Sequence, residues 1–157
     1  MSLQFLQKTV DMHRSMERPN WPYSCSEEFV LKHGRAYVGR ELPKGYKKGI
    51  PKHCFYNSFK LVKRRKKLRY VEGYAFFKGI PILHAWVVEA GSFDVIELTH
   101  SFDSYFGVCF KTDYLLDQWR QFPDGLSLLD NYESKYALLQ MTPEEVQKVL
   151  YPFSEEK

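Results

Sequence analysis

The chain has 157 residues, a formal net charge of +4, and 44% hydrophobic against 27% charged residues. That balance excludes a disordered chain, and the length points to a single domain, residues 1–157, around one main core. No apolar run is long enough to span a bilayer, and the opening MSLQFLQKTVDMHR lacks the apolar stretch of a secretion signal.

Three cysteines, Cys25, Cys54 and Cys109, form neither a C-x-x-C pair nor a disulfide framework. They point to a reducing, cytoplasmic compartment. Aromatic residues reach 17%, enough to fill a thick core and also line a cleft.

Leu3, Leu6 and Val10 recur at helical spacing, and Pro19 and Pro22 end that segment. A second helix fits Ser26 to His33. Ser24 with Glu27 reads as its capping box, and Gly34 as its stop. Gly39 to Pro51 is rich in Gly, Pro and Lys and reads as a surface loop. Phe55 to Lys63 reads as a helix, followed by the basic run Lys63 to Lys67.

The period then changes to two. Tyr70–Phe77, Ile82–Glu89 and Phe93–Thr99 read as strands, with turns at Lys78-Gly79 and Gly91-Ser92. A fourth strand fits Tyr105–Phe110. Helices follow at Asp113–Arg120 and at Pro143–Leu150, the latter announced by Thr142, Pro143 and Glu145. Helices first and strands after give an α+β fold with an antiparallel sheet.

Cys54 stands in KHCFYNSF, after a Pro–Lys–His turn where a helix should begin. Unpaired amides and the helix dipole at such a position favour a thiolate and can hold a developing oxyanion. A nucleophilic thiol also needs an imidazole to take its proton and a third group to fix the ring. His84, in PILHAWVVEAG, shares a strand face with Trp86 and Val88. A two-residue hairpin loop at Gly91-Ser92 sets Trp86 opposite Glu97 and His84 opposite Thr99. Glu97 is then diagonal to His84 on one face, where Cβ atoms lie about 7–8 Å apart or less. A one-residue slip would reverse that parity.

The strings C-x-x-N (Cys54, Asn57), YVEG (Tyr70–Gly73), HAW (His84–Trp86), V-I-E-x-T (Val95–Thr99) and Y-F-G (Tyr105–Gly107) carry a resemblance. In this order they resemble small bacterial and phage proteins of the papain-like or transglutaminase-like (NlpC/P60-type) cysteine hydrolase superfamily. The resemblance covers residues 54–107. It implies a papain-like core with the Cys-bearing helix packed on the sheet, a Cys54–His84–Glu97 triad, and acyl transfer at an amide bond without a cofactor. Such enzymes usually carry Asp or Asn as third member, whereas Glu stands here. No glutamine upstream of Cys54 fits an oxyanion-hole role.

The expected substrate is peptide-like or otherwise contains an amide, with Asn57, Tyr74, Trp86 and Tyr105 as substrate-binding candidates. Asn57 reads equally as a residue holding a loop. Glu72 shares the Tyr74 face as a supporting group or a solvated edge residue. No His/Cys spacing indicates a metal. Lys63, Arg64, Arg65, Lys66, Lys67 and Arg69 form a basic patch. Its rival meaning is a nucleic-acid or protein binding module, and a charge of only +4 argues against nucleic acid as the main partner. A catalytically inactive structural relative is the third reading.

Overall fold

The computed structural model describes residues 2–16, 20–123 and 127–153; the predicted helix stop at Pro19 lies outside them. The chain runs α1 (Gln4–Ser15), α2 (Ser26–His33), β1 (Arg35–Tyr37), α3 (Cys54–Arg64), β2 (Leu68–Phe77), β3 (Ile80–Glu89), β4 (Ser104–Phe110), α4 (Thr112–Gln121), a 3₁₀ turn (Ala137–Gln140) and α5 (Pro143–Val149). The strands form a four-stranded antiparallel sheet in the order β1-β4-β2-β3. The α+β class with leading helices is therefore observed. Among the described residues no helix is long and apolar enough to cross a membrane.

The β2–β3 hairpin turns at Lys78 (φ 50°) and Gly79 (φ 78°). Two successive left-handed residues match the twist of the flanking strands. The α5 start carries the full Thr142–Glu145 capping box with Pro143 behind it. At α2 the box expected of Ser24 is not made. The N-cap is Cys25, one residue after Ser24, and Ser24 Oγ instead donates to Glu28 Oε2 at 3.0 Å. Strand β1 carries no periodic signal of its own.

Period two divides the sheet residues cleanly between two faces. Tyr70, Tyr74, Phe76, Val87, Val108 and Phe110 lie in the larger core with helix residues such as Phe29, Leu61 and Leu115. Tyr37, Val71, Ala75, Trp86, Val88, Tyr105 and Cys109 lie in a second cluster on the opposite face.

The segment expected as a strand over 93–99 forms only isolated bridges, antiparallel from Ile96 to Val87 and parallel from Asp94 to Val38. Its hydrogen bonds are shared out: Ile96 N–H donates to Val87 C=O (2.7 Å) and Val95 N–H to Val38 C=O (2.8 Å). The segment thus links the β3 edge to the chain just past β1, at the opposite edge. The sheet is drawn towards closure around the second cluster. Divided between two partners, the segment builds no continuous ladder with either. The Val87–Ile96 pairing is nevertheless the register that sets Trp86 opposite Glu97.

Glycines make room inside this curl. Gly73 and Gly107 are cross-strand partners, and Gly73 also pairs with His84. A Cβ on Gly107 would fall 2.8 Å from the Trp86 ring and 2.7 Å from the Glu72 carbonyl oxygen. Trp86 is wholly buried over that gap.

Candidate active site

The chain enters α3 through a tight turn. His53 N–H donates to Ile50 C=O at 3.2 Å, and Lys52 adopts φ 64°. Cys54 is the first helical residue and His53 the N-cap, without a side-chain cap on the first-turn amides. That end of the helix therefore presents N–H groups no side chain has claimed.

Asn57 fixes the turn. Its Oδ1 accepts from Ile50 N–H (3.0 Å), and its Nδ2 donates to Ile50 C=O (2.9 Å) and Thr99 Oγ1 (2.9 Å). All its bonds therefore go to the Cys54 turn and to the segment carrying Glu97.

His84 and Glu97 form a buried pair, 4% and 2% exposed. His84 Nε2 lies 2.9 Å from Glu97 Oε2 and 3.1 Å from Oε1. The carboxylate also accepts from Tyr105 Oη–H on Oε2 (2.9 Å), and from Thr99 N–H (3.0 Å) and His100 N–H (3.2 Å) on Oε1. Four donors converge on one buried carboxylate, as a buried charge requires. With Nε2 taken, Nδ1 is the nitrogen left for Cys54.

Burial alone would lower the His84 pKa. Interactions with Cys54 and with the Glu97 carboxylate outweigh it and raise the ring to about 9. Phe102 packs edge-on against the imidazole at 4.7 Å, and Trp86 lies nearly parallel to it at 6.2 Å.

Cys54 is 8% exposed, and Pro51, Lys52 and His53 before it are exposed. The sulfur is nearly covered but sits at a surface turn, not at the centre of the core. Cys109 contrasts with it: burial pushes that thiol up to about 12.

The other candidates divide. Trp86 and Tyr105 lie inside the curled sheet behind the His84–Glu97 pair, Trp86 at 0% and Tyr105 at 1% exposure. Burial first, then the Glu97 charge, pushes the Tyr105 phenol well above its usual range, so it remains a donor. Tyr74 lies on the other face and lines a separate cavity of about 400 Å³ with Cys25 and Glu27.

Glu72 is fully buried, not solvated at an edge. It accepts from Tyr70 Oη, Ser127 Oγ, Leu128 N–H and Leu129 N–H, tying the 127–129 segment to the sheet. Burial pushes its carboxyl up, and these donors offset only part of the rise.

The basic run is split. Arg64 and Arg65 line a cavity of about 360 Å³ with Lys47, Lys48 and Lys60; Lys60 and Arg64 lie roughly two and three turns along α3 from Cys54. Arg65 stacks on Tyr46 (4.7 Å), Lys63 lies over Phe59 (5.9 Å), and Lys67 pairs with Glu89 (3.8 Å). Lys66 is exposed. Arg69 lies over Tyr151 (3.8 Å), beside another cavity.

What the sequence missed are the residues around Glu97: the Tyr105 hydroxyl as a ligand to the carboxylate, and the amides of Thr99 and His100. The motif Y-F-G was their one visible trace. Comparison with known proteins gave no matching family, curated protein or solved structure.

Proposed function

We propose that the protein is a cysteine-dependent acyl hydrolase or transferase of the papain-like or transglutaminase-like (NlpC/P60-type) kind, acting on an amide bond in a peptide-like substrate. The observation that carries this reading is the buried His84–Glu97 pair bonded towards a cysteine at an uncapped helix start. Three residue types meet in the order that thiol acyl transfer uses.

With its proton already held on His84 Nδ1, Cys54 Sγ attacks the carbonyl carbon as the thiolate of a thiolate–imidazolium pair. The first-turn amides of α3 stabilise the oxyanion, replacing the glutamine this chain lacks. Collapse breaks the C–N bond, and His84 returns the proton to the departing amine. Water, or an acceptor amine, then attacks the thioester, gives a proton to His84, and releases the acyl product and the Cys54 thiolate, which restores the starting pair. Glu97 holds His84 with Nδ1 towards sulfur and stabilises the imidazolium. Tyr105 holds Glu97. Asn57 fixes the turn before Cys54 and is a positioning residue here. The chemistry runs on side chains and amides alone, and three free thiols fit a reducing, cytoplasmic setting.

The test is covalent labelling by a thiol-reactive acyl probe, read by intact mass and peptide mapping. One adduct is expected, lost in Cys54→Ala and kept in Cys25→Ala and Cys109→Ala. An adduct that survives Cys54→Ala defeats the proposal.

The basic cavity formed by Lys47, Lys48, Lys60, Arg64 and Arg65 supports a second reading, in which the domain binds nucleic acid or another polyanion. Salt-sensitive binding lost in Arg64→Ala/Arg65→Ala, together with an unlabelled Cys54, would select it.

A further inference from the structure

On the sheet face away from His84, α1 and α2 bring together three residues that the acyl-transfer reading does not use. His13 lies in the last turn of α1, Cys25 is the N-cap of α2, and Glu27 is in the first turn of α2. One ligating atom from each lies within 4.8 Å of the others. They line a cavity of about 400 Å³ walled by Trp21, Tyr74 and Tyr136.

His13 Nδ1 is sealed from solvent and has no hydrogen-bond partner among the described residues. A buried polar atom without a partner is uncommon in a folded protein and calls for a cause. A neighbouring group is placed to steady a ligand: Ser24 Oγ lies 3.7 Å from Cys25 Sγ.

We propose that His13, Cys25 and Glu27 form a site for a divalent transition metal ion of the zinc class. A thiolate with an imidazole and one carboxylate suits zinc and disfavours calcium and magnesium, which take all-oxygen shells. Tetrahedral zinc with these donors needs ligand separations of about 3.3–3.8 Å. The three groups therefore close inward by roughly 1 Å on binding, a movement within side-chain rotation.

Binding converts the Cys25 thiol to a thiolate and releases its proton to solvent, so affinity rises with pH. Three protein ligands leave a fourth position open to the cavity, for water or a small ligand. Sequence spacing concealed the set because its members come from two different helix termini. The Cys54, His84 and Glu97 set has the same composition, but its imidazole Nε2 is already held by the carboxylate.

The probes are zinc and cobalt(II) ions added to chelator-stripped protein. One equivalent should bind, raise the melting temperature, and with cobalt give a thiolate-to-metal charge-transfer band in the near ultraviolet. Cys25→Ser should abolish the band. His13→Gln and Glu27→Gln should each weaken zinc binding by about tenfold or more, with an unchanged far-ultraviolet spectrum showing that they fold. Cys54→Ser should keep both the band and the stoichiometry. The proposal is overturned if the folded wild-type chain binds no stoichiometric metal, if the band survives Cys25→Ser, or if it disappears in Cys54→Ser. Should one glutamine variant fail to fold, the other and Cys25→Ser still decide the matter.

Discussion

Glu97→Gln is the sharpest perturbation of the candidate active site because it keeps shape and removes charge. The Glu97 carboxylate offers only lone pairs, and all four of its partners donate to it. Glutamine must place an NH₂ group where one oxygen stood. On the Oε1 side it would face two backbone N–H groups that cannot reverse. It therefore settles on the Oε2 side, facing Tyr105 and His84. There the amide donates to His84 Nε2, and the ring must carry its proton on Nδ1. That tautomer points a hydrogen at the Cys54 sulfur and cannot accept the thiol proton. The same tautomer error in a serine triad lowers kcat by about 10⁴-fold, and a loss of about 10³–10⁴-fold in Cys54 acylation is expected here.

The same change has a thermodynamic signature. The folded-state pKa of His84 lies at about 9, above the ordinary histidine value of 6.5. A raised basic group contributes stability that is complete below the unfolded value and is lost as pH rises through the folded one. The window is therefore pH 6.5 to about 9, and the full shift corresponds to about 3 kcal/mol. In Glu97→Gln the Cys54 share of the shift remains and the Glu97 share goes. The stability gap between wild type and variant should be widest near pH 6 and narrow towards pH 9. Urea unfolding of both proteins at half-unit pH steps measures the gap, and the other histidines cancel in the difference. A gap that stays constant from pH 6 to 9.5, or acylation at the wild-type rate, would refute the argument.

Tyr105→Phe removes one donor from Glu97 and leaves Phe102 N–H without its 3.0 Å acceptor. Denaturant unfolding should show a loss of about 1–3 kcal/mol, and Cys54 labelling should slow with unchanged probe binding. Glu72→Gln sets an amide donor against four groups that donate to Glu72, so unfolding should show a loss of about 3 kcal/mol or more; labelling of the remaining folded fraction should be normal. Gly107→Ala drives a methyl group into the Trp86 ring and the Glu72 carbonyl. Overpacking of this kind costs about 1–3 kcal/mol, and Trp86 fluorescence should report the displacement.

The sequence disclosed those features whose cause is local. The hairpin at Lys78-Gly79 needs two left-handed residues, the α5 start needs Thr142, Pro143 and Glu145, and both signals can be read from neighbours in the chain. Alternation along β2 and β3 grouped Glu72 with Tyr74 and His84 with Trp86, but only the pairing of the two strands shows that these groups lie on opposite faces of the sheet. Features with distant causes stayed hidden. Strand β1 consists of Arg35–Tyr37 alone and exists because β4 pairs with it. The 93–96 segment looks like a strand by composition, but its hydrogen bonds are divided between Val38 and Val87. Trp86 and Tyr105 look like cleft residues until the sheet curls around them. Glycines 73 and 107 fall inside the expected strands with no local signal of their role, yet each gives up its side chain for a close approach between strands or to Trp86.

The glutamate in place of the usual Asp or Asn has a geometric reason in this register. The residue directly opposite position 97 is Trp86, not His84, so the carboxylate must reach its imidazole along a diagonal. It must also meet Tyr105 from β4, beyond β2 in the sheet, and the amides of Thr99 and His100. Aspartate is shorter by one carbon–carbon bond, about 1.5 Å, and from the same Cα it cannot hold His84 Nε2 at 2.9 Å and keep the other donors. Glu97→Asp should therefore lower the His84 pKa and slow acylation, even though it retains the charge and matches the more common residue. An NMR titration of the His84 ring that still centres near 9 in Glu97→Asp would show that charge alone, without reach, sets the pair.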